Sequence, residues 1–276
     1  MFSGRSVARN LLMAVLAVCP FWLAHDVRAD VLSIIKEVEG TTLKVIGAQA
    51  VDPRGWPATY VLINGDNGCT ATLVGPRAIL TAAHCVRDGQ VGTAFIGELS
   101  DAPAIGVRCT NMPKSQFGAS ADFSLCITDT DMLENLPNLQ FESVYPYFPI
   151  LRKNRKVRVL GFGCTAVEGD DFGKLHIGTT RIVALPKRNL FFFTRGVAAV
   201  CAGDSGGSAF MFVNREKTKR VIVGIGSLGN SKRNISAFAA TGTRPFVRWI
   251  KRVSNNFSLK VCGIHEDTPN CRNNKI

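Results

Sequence analysis

A serine set between glycines, in the run Cys201-Ala202-Gly203-Asp204-Ser205-Gly206-Gly207, is the most chemically suggestive feature of the chain. Flanking glycines let the backbone approach a substrate carbonyl closely, and the N–H groups of Gly203 and Ser205 together can form an oxyanion hole. Each such donor is worth about 2.7–4 kcal/mol in the transition state. A serine hydroxyl attacks only with a base beside it. Thr81-Ala82-Ala83-His84-Cys85 supplies one in His84, which follows an apolar run and is tethered by the neighbouring cysteine. Asp122-Phe123-Ser124-Leu125 then offers Asp122 at the head of another apolar run, where a carboxylate could orient the imidazole. Taken singly these are ordinary: a Gly-rich turn, a structural histidine, a capping aspartate. In the order His, Asp, Ser they support one another and point to acyl transfer.

Such a constellation needs a rigid frame, and the surrounding pattern predicts one made of strands. Residues 60–64, 70–74, 78–81, 93–96, 123–128, 157–162, 181–184, 209–213, 221–225 and 237–240 are β-rich runs. Gly65-Asp66-Asn67-Gly68, Asp88-Gly89, Glu168-Gly169-Asp170-Asp171 and Gly229-Asn230-Ser231-Lys232 supply turns between them. The pattern reads as an antiparallel all-β fold of the barrel or sandwich kind. One helix stands out near the end. Thr243 can cap it, Pro245 suits an early helical position, and Phe246, Trp249, Ile250 and Val253 fall at helical spacing. Residues 133–149, rich in Pro and Asn, read as a linker between two halves, and residues 258–276 as a tail.

The 276 residues are 46% hydrophobic and 20% charged, enough apolar material for a substantial core, which excludes intrinsic disorder, a collagen-like chain and a small disulfide-only scaffold. Residues 1–29 read as a secretory signal peptide. Arg5 and Arg9 precede a 14-residue apolar run, short against the roughly 20 residues of a membrane span, and Val27-Arg28-Ala29 suits cleavage before Asp30. An uncleaved anchor is the competing reading, and a lipoprotein is disfavoured by Val18 before Cys19. Without Cys19 eight of the nine cysteines remain, an even number that suggests four disulfides in an exported chain. A zinc site is the rival, but no Cys-x-x-Cys pair occurs and the four histidines are scattered. The net charge of +12 comes with basic clusters at residues 152–158, 215–220 and 248–252. These could contact a polyanion, though solvated surface explains them as well; no aromatic interleaving or nucleic-acid motif accompanies them, so no specific nucleic acid is expected.

On the runs around His84, Asp122 and Ser205, the sequence from Val45 to about Phe257 resembles the chymotrypsin/trypsin-like serine proteases. The resemblance implies two six-stranded antiparallel β-barrels with a C-terminal helix: a first barrel at about 45–140, a second at about 150–242, the helix at about 243–254. It implies a secreted serine endopeptidase, with Ser205 as nucleophile, His84 as general base, Asp122 as orienting carboxylate, and Gly203 and Ser205 as oxyanion donors. Neither metal nor organic cofactor is required. The Gly203-x-Ser205-x-Gly207 spacing also fits an α/β-hydrolase elbow, but that fold needs an acid and then a histidine after the serine. Only His265 follows Ser205, with no Asp between them.

Further details follow from the resemblance. Lys44-Val45-Ile46-Gly47-Ala48 looks like an activation junction, making residues 30–44 a propeptide; cleavage after Lys44 would free a Val45 ammonium to pair with Asp204. Expected disulfides are Cys69–Cys85, Cys109–Cys126, Cys164–Cys201 and Cys262–Cys271, the last closing the tail. Ser227-Leu228-Gly229 looks like the segment that pairs with substrate backbone, and Ala199 with Val200 stands at the pocket base. Two departures bear on pocket shape: no cysteine follows Gly229 to pair with Cys201, and Ser208 stands where the family usually has proline. No Asp or Glu lies between Leu185 and Gly203 or from Gly224 to Pro245, so a small or apolar P1 side chain is expected rather than Lys or Arg, with Lys232 and Arg233 leaving room for acidic or polar substrates. Expected partners are protein or peptide substrates and an activating protease, and the protein is expected to be a monomer. The alternative is a catalytically weak secreted binding protein on a protease scaffold, using its basic surface.

Overall fold

The structure is a computed structural model that describes residues 48–65, 67–96, 103–163, 172–230 and 233–272. The expected signal peptide and most of the expected propeptide junction, including Lys44 and Val45, lie outside the described residues, as do Cys164, the turn at 168–171 and Lys232.

Thirteen strands are described: β1 (Gln49–Ala50), β2 (Thr59–Asn64), β3 (Asn67–Gly75), β4 (Ala78–Thr81), β5 (Val91–Ile96), β6 (Ala104–Asn111), β7 (Ser124–Thr128), β8 (Lys156–Gly161), β9 (His176–Ala184), β10 (Phe191–Arg195), β11 (Ser208–Phe212), β12 (Arg220–Asn230) and β13 (Ile235–Ala240). Between β7 and β8 lies a four-residue helix, α1 (Met132–Asn135); after β13 comes α2 (Arg244–Asn256). Strands β2 to β7 close an antiparallel barrel in the order β2-β3-β4-β7-β6-β5. The order β9-β10-β13-β12-β11-β8 closes a second through β8–β9 pairing, and β1 adds to β9. The expected pair of six-stranded barrels with a C-terminal helix is therefore present.

Side-chain alternation explains why these runs form barrel staves. In β8, Lys156 and Arg158 face out while Val157 and Val159 are buried, and β9 alternates likewise. Inside the second barrel the rings of Phe192 and Phe238, directly opposite across β10 and β13, stack 5.3 Å apart.

The structure departs from the sequence pattern in several places. Strands β6 and β10 were not anticipated. β6 is mostly half-buried, with Val107 and Cys109 buried, and carries Gly106, beside Asp129, while β10 belongs to a buried run of Leu190 and three phenylalanines that shows no alternation. β9 begins at His176 rather than 181, and β12 continues through Asn230, so Gly229 and Asn230 are strand rather than turn. β1 lies ahead of the first barrel in sequence yet pairs with the second, through Gln49 opposite Ile177 and Ala50 opposite His176.

The expected linker is packed structure as well as connection. Glu142 within it is fully buried, accepts from Arg220 Nε at 3.0 and 3.1 Å, and accepts from Arg272 Nε at 3.2 Å. Arg220 lies 3.4 Å over the ring of Trp56 and donates to the Gly55 carbonyl. One carboxylate thus joins the segment before the first barrel, the connection, the second barrel and the tail.

α2 buries Phe246, Trp249, Ile250 and Val253, the residues at helical spacing. Thr243 stands at the N-cap, but its hydroxyl donates to the Ala240 carbonyl at 3.0 Å rather than capping; Pro245 removes one of the free N–H groups. Phe246 and Trp249 pack on Phe123 at 4.4 and 6.2 Å between ring centres. The helix therefore buttresses the residue next to Asp122.

Candidate active site

His84 follows β4 on a short 3-10 turn, with its side chain 39% exposed. Its Nδ1 lies 2.7 Å from Asp122 Oδ2, and its backbone N–H donates to Oδ1 at 2.9 Å. Asp122 is buried just before β7, and the Ser227 hydroxyl of β12 reaches its Oδ2 at 2.5 Å. Burial pushes the Asp122 carboxyl up, but the hydrogen bonds and charge of His84 and the Ser227 bond outweigh it, holding the group below its ordinary value. A histidine held at Nδ1 by an ionised acid keeps Nε2 free to take a proton.

The nucleophile loop needs glycine at two positions. Gly203 has φ +91° and Gly206 φ +82°, and a Cβ on Gly206 would meet Thr81 Oγ1 at 2.1 Å and the Thr70 carbonyl at 2.3 Å. Ser205 between them is half-buried. Thr81 and Ala82, both against Gly206, lead straight into the His84 turn, so the loop is seated on the segment that carries the imidazole.

Asp204 points inward. It is buried and accepts from the N–H groups of Gly163 and Cys201, both at 2.9 Å. A Cβ on Gly161 or Gly163 would sit 2.1 or 2.6 Å from that carboxyl group, so the two glycines make its room. Burial pushes its pKa up to about 7, with the two backbone N–H bonds acting the other way.

Ala199 and Val200 are buried, and Val200 N–H donates to the Ser236 hydroxyl at 2.8 Å. Opposite them on β12 lie Ser227, buried, Leu228, half-buried, and Gly229, where a Cβ would come 2.2 Å from the Val200 carbonyl. The two segments expected to wall the pocket are thus brought into contact.

Three disulfides are described: Cys69–Cys85, Cys109–Cys126 and Cys262–Cys271. Cys201 is also disulfide-bonded, and its expected partner Cys164 is outside the described residues. Cys69, Cys85 and His84 lie close enough to suggest metal ligands, but both sulfurs are spent in the disulfide and offer no thiolate.

Sequence reasoning missed several residues that shape this site. Thr70 and Thr72 of β3 are fully buried and cross to the second barrel, Thr72 Oγ1 meeting Ser208 Oγ at 2.7 Å. Their signal was a pair of polar residues on one face of a run otherwise fit for a core. Phe172 lies against Gly203 and Gly68, its ring 2.8 and 2.3 Å from where their Cβ atoms would be; nothing in its surroundings announced it.

The sequence model of the family described as Trypsin matches residues 45–250. The chain belongs to the trypsin family. It is accordingly a serine peptidase, a hydrolase of peptide bonds, and protein or peptide substrates follow from the family. Among solved structures, a Glu endopeptidase in complex with MPD is similar at TM-score 0.61 and 16% identity, covering 78% of this chain and 100% of that one. That likeness is one of fold. The trypsin-family match begins at Val45, the residue expected to start the mature enzyme.

Proposed function

We propose that the protein is a secreted serine endopeptidase that uses Ser205, His84 and Asp122, is made as a zymogen cut after Lys44, and prefers a small or apolar P1 side chain. The observation that carries this reading is the Asp122 carboxylate, which holds both Nδ1 and the backbone N–H of His84 while Ser227 of the other barrel donates to it.

The chemistry runs from these groups. Ser205 Oγ attacks the scissile carbonyl carbon as His84 Nε2 takes its proton. Asp122 fixes the imidazole tautomer and stabilises the imidazolium that forms. The N–H groups of Gly203 and Ser205 receive the charge developing on the carbonyl oxygen. His84 returns the proton to the leaving amine, leaving an acyl-enzyme, and the same base then activates water to release the acid.

Asp204 supplies a reason for the zymogen. A carboxyl group buried without a cation favours its protonated form, and the Val45 ammonium freed by cleavage would pair with it and order the loop of Gly203. The lack of Asp and Glu in residues 185–203 and 224–245 supports an apolar or small P1, so an enzyme of this specificity would not cut its own Lys44 and another protease must. N-terminal sequencing of the secreted form, with a peptide-library profile, tests the reading. A Val45 terminus and cleavage after small or apolar residues are expected; rapid self-activation of purified proenzyme, lost in Ser205→Ala, would overturn the activation scheme.

A further inference from the structure

Thr70 makes four hydrogen bonds, and they meet at the nucleophile loop. Its backbone N–H donates to the Ser205 carbonyl at 2.8 Å, and its hydroxyl donates to the Gly203 carbonyl at 2.7 Å. The same hydroxyl accepts from the Phe162 N–H at 3.0 Å, and the Thr70 carbonyl accepts from Thr81 Oγ1 at 2.9 Å. The residue is fully buried, so water offers none of these groups a substitute partner.

We propose that Thr70 is a positioning residue for the oxyanion hole, acting through its hydroxyl. Gly203 and Ser205 are the two residues whose N–H groups receive the oxyanion charge in the mechanism above, and Thr70 holds the carbonyl of each. With both carbonyls drawn toward β3, residues 203 to 205 are fixed at both ends and the two N–H groups keep one orientation. Gly203 needs this most, because a glycine at φ +91° has no side chain to limit its rotation. The hydroxyl also ties the loop to Phe162, which leads into Gly163, the donor to Asp204. Through Thr81 the same residue reaches the last residue of β4, just ahead of the turn that carries His84. One side chain of the first barrel thereby sets hole, nucleophile and base in a common frame. Preorganised donors accelerate a reaction only when they need not reorient as charge develops.

The inference rests on the proposed roles of Gly203 and Ser205, and its test separates the two. Thr70→Val keeps the shape and the backbone N–H but removes the hydroxyl, leaving the Phe162 N–H and Gly203 carbonyl unpaired. The variants are assayed as cleaved enzyme, well below their unfolding temperatures, on the best peptide of the library profile. Thr70→Val is expected to lower kcat about tenfold or more with KM within about twofold, the loss of roughly one or two hydrogen bonds. Affinity for a peptidyl boronate, a tetrahedral mimic, should fall in parallel, whereas Thr70→Ser should restore both to within about threefold. Should Thr70→Val not fold, Thr70→Ala carries the same comparison. The proposal is overturned if the hydroxyl-free variant keeps wild-type kcat, if only KM rises, or if Thr70→Ser is as impaired as Thr70→Val. An active Ser205→Ala would instead refute the underlying assignment of the site.

Discussion

Asp122 accepts three hydrogen bonds at two oxygens, two from His84 and one from Ser227, and only the last can be removed without touching the base. Ser227→Ala should therefore lower kcat about tenfold, the worth of a hydrogen bond to a charged acceptor, while KM for a short peptide changes little. Steady-state kinetics with an active-site titrant checks this. Asp204 gives a second residue-scale prediction, of opposite sign to the usual acid. Its folded pKa is raised from 3.8 to about 7, so its protonated form contributes stability that is complete below pH 4 and lost as pH rises through 7. Urea unfolding of the uncut protein should show stability falling across that window by up to about 4 kcal/mol, and Asp204→Asn should flatten the decline. His84, Asp122, Ser205 and Asp204 were all legible in the sequence because each sits in a distinctive run. Thr70 and Ser236 were not, since a polar residue inside a strand shows which groups it serves only once the strands are packed together.

At the scale of elements, the connection between the barrels carries more than its composition suggested. Glu142 is fully buried against Arg220 and Arg272, and Arg220→Ala would leave that carboxylate with one of its two ion-pair partners among the described residues. A loss of about 3–5 kcal/mol in chemical denaturation is expected, with kcat of the surviving native enzyme unchanged. Pro and Asn in residues 133–149 suggested a connection, and the segment lies between β7 and β8. They hid the buried contacts, because Glu142 meets partners 78 and 130 residues away in sequence. The strands show the same limit. Runs with alternation, such as β8, were found, whereas the phenylalanine-rich β10 and the mostly half-buried β6 depend on neighbours for their strand character. α2 was found for the opposite reason: four buried residues at helical spacing made a stripe no strand could use.

Over the whole molecule, the proposed mechanism draws on both barrels: His84 and Asp122 come from the first, Ser205, Gly203 and Ser227 from the second. Residues 45–276 hold 28 basic and 17 acidic side chains, a surplus that belongs to the enzyme itself and not to the segments proposed to be removed. Activity should depend on that removal. Lys44→Gln should keep the secreted chain uncut and at least about 100-fold less active, a deficit consistent with an unordered oxyanion hole, and N-terminal sequencing with a peptide assay would show both. The central claim is that Ser205 is a nucleophile raised by His84 and Asp122, and its most direct test is mapping of a fluorophosphonate adduct on the processed enzyme by mass spectrometry. The account predicts one adduct per molecule, on Ser205, formed far more slowly in His84→Ala. A folded, correctly processed protein that stays unlabelled, or is labelled at another serine, would contradict it.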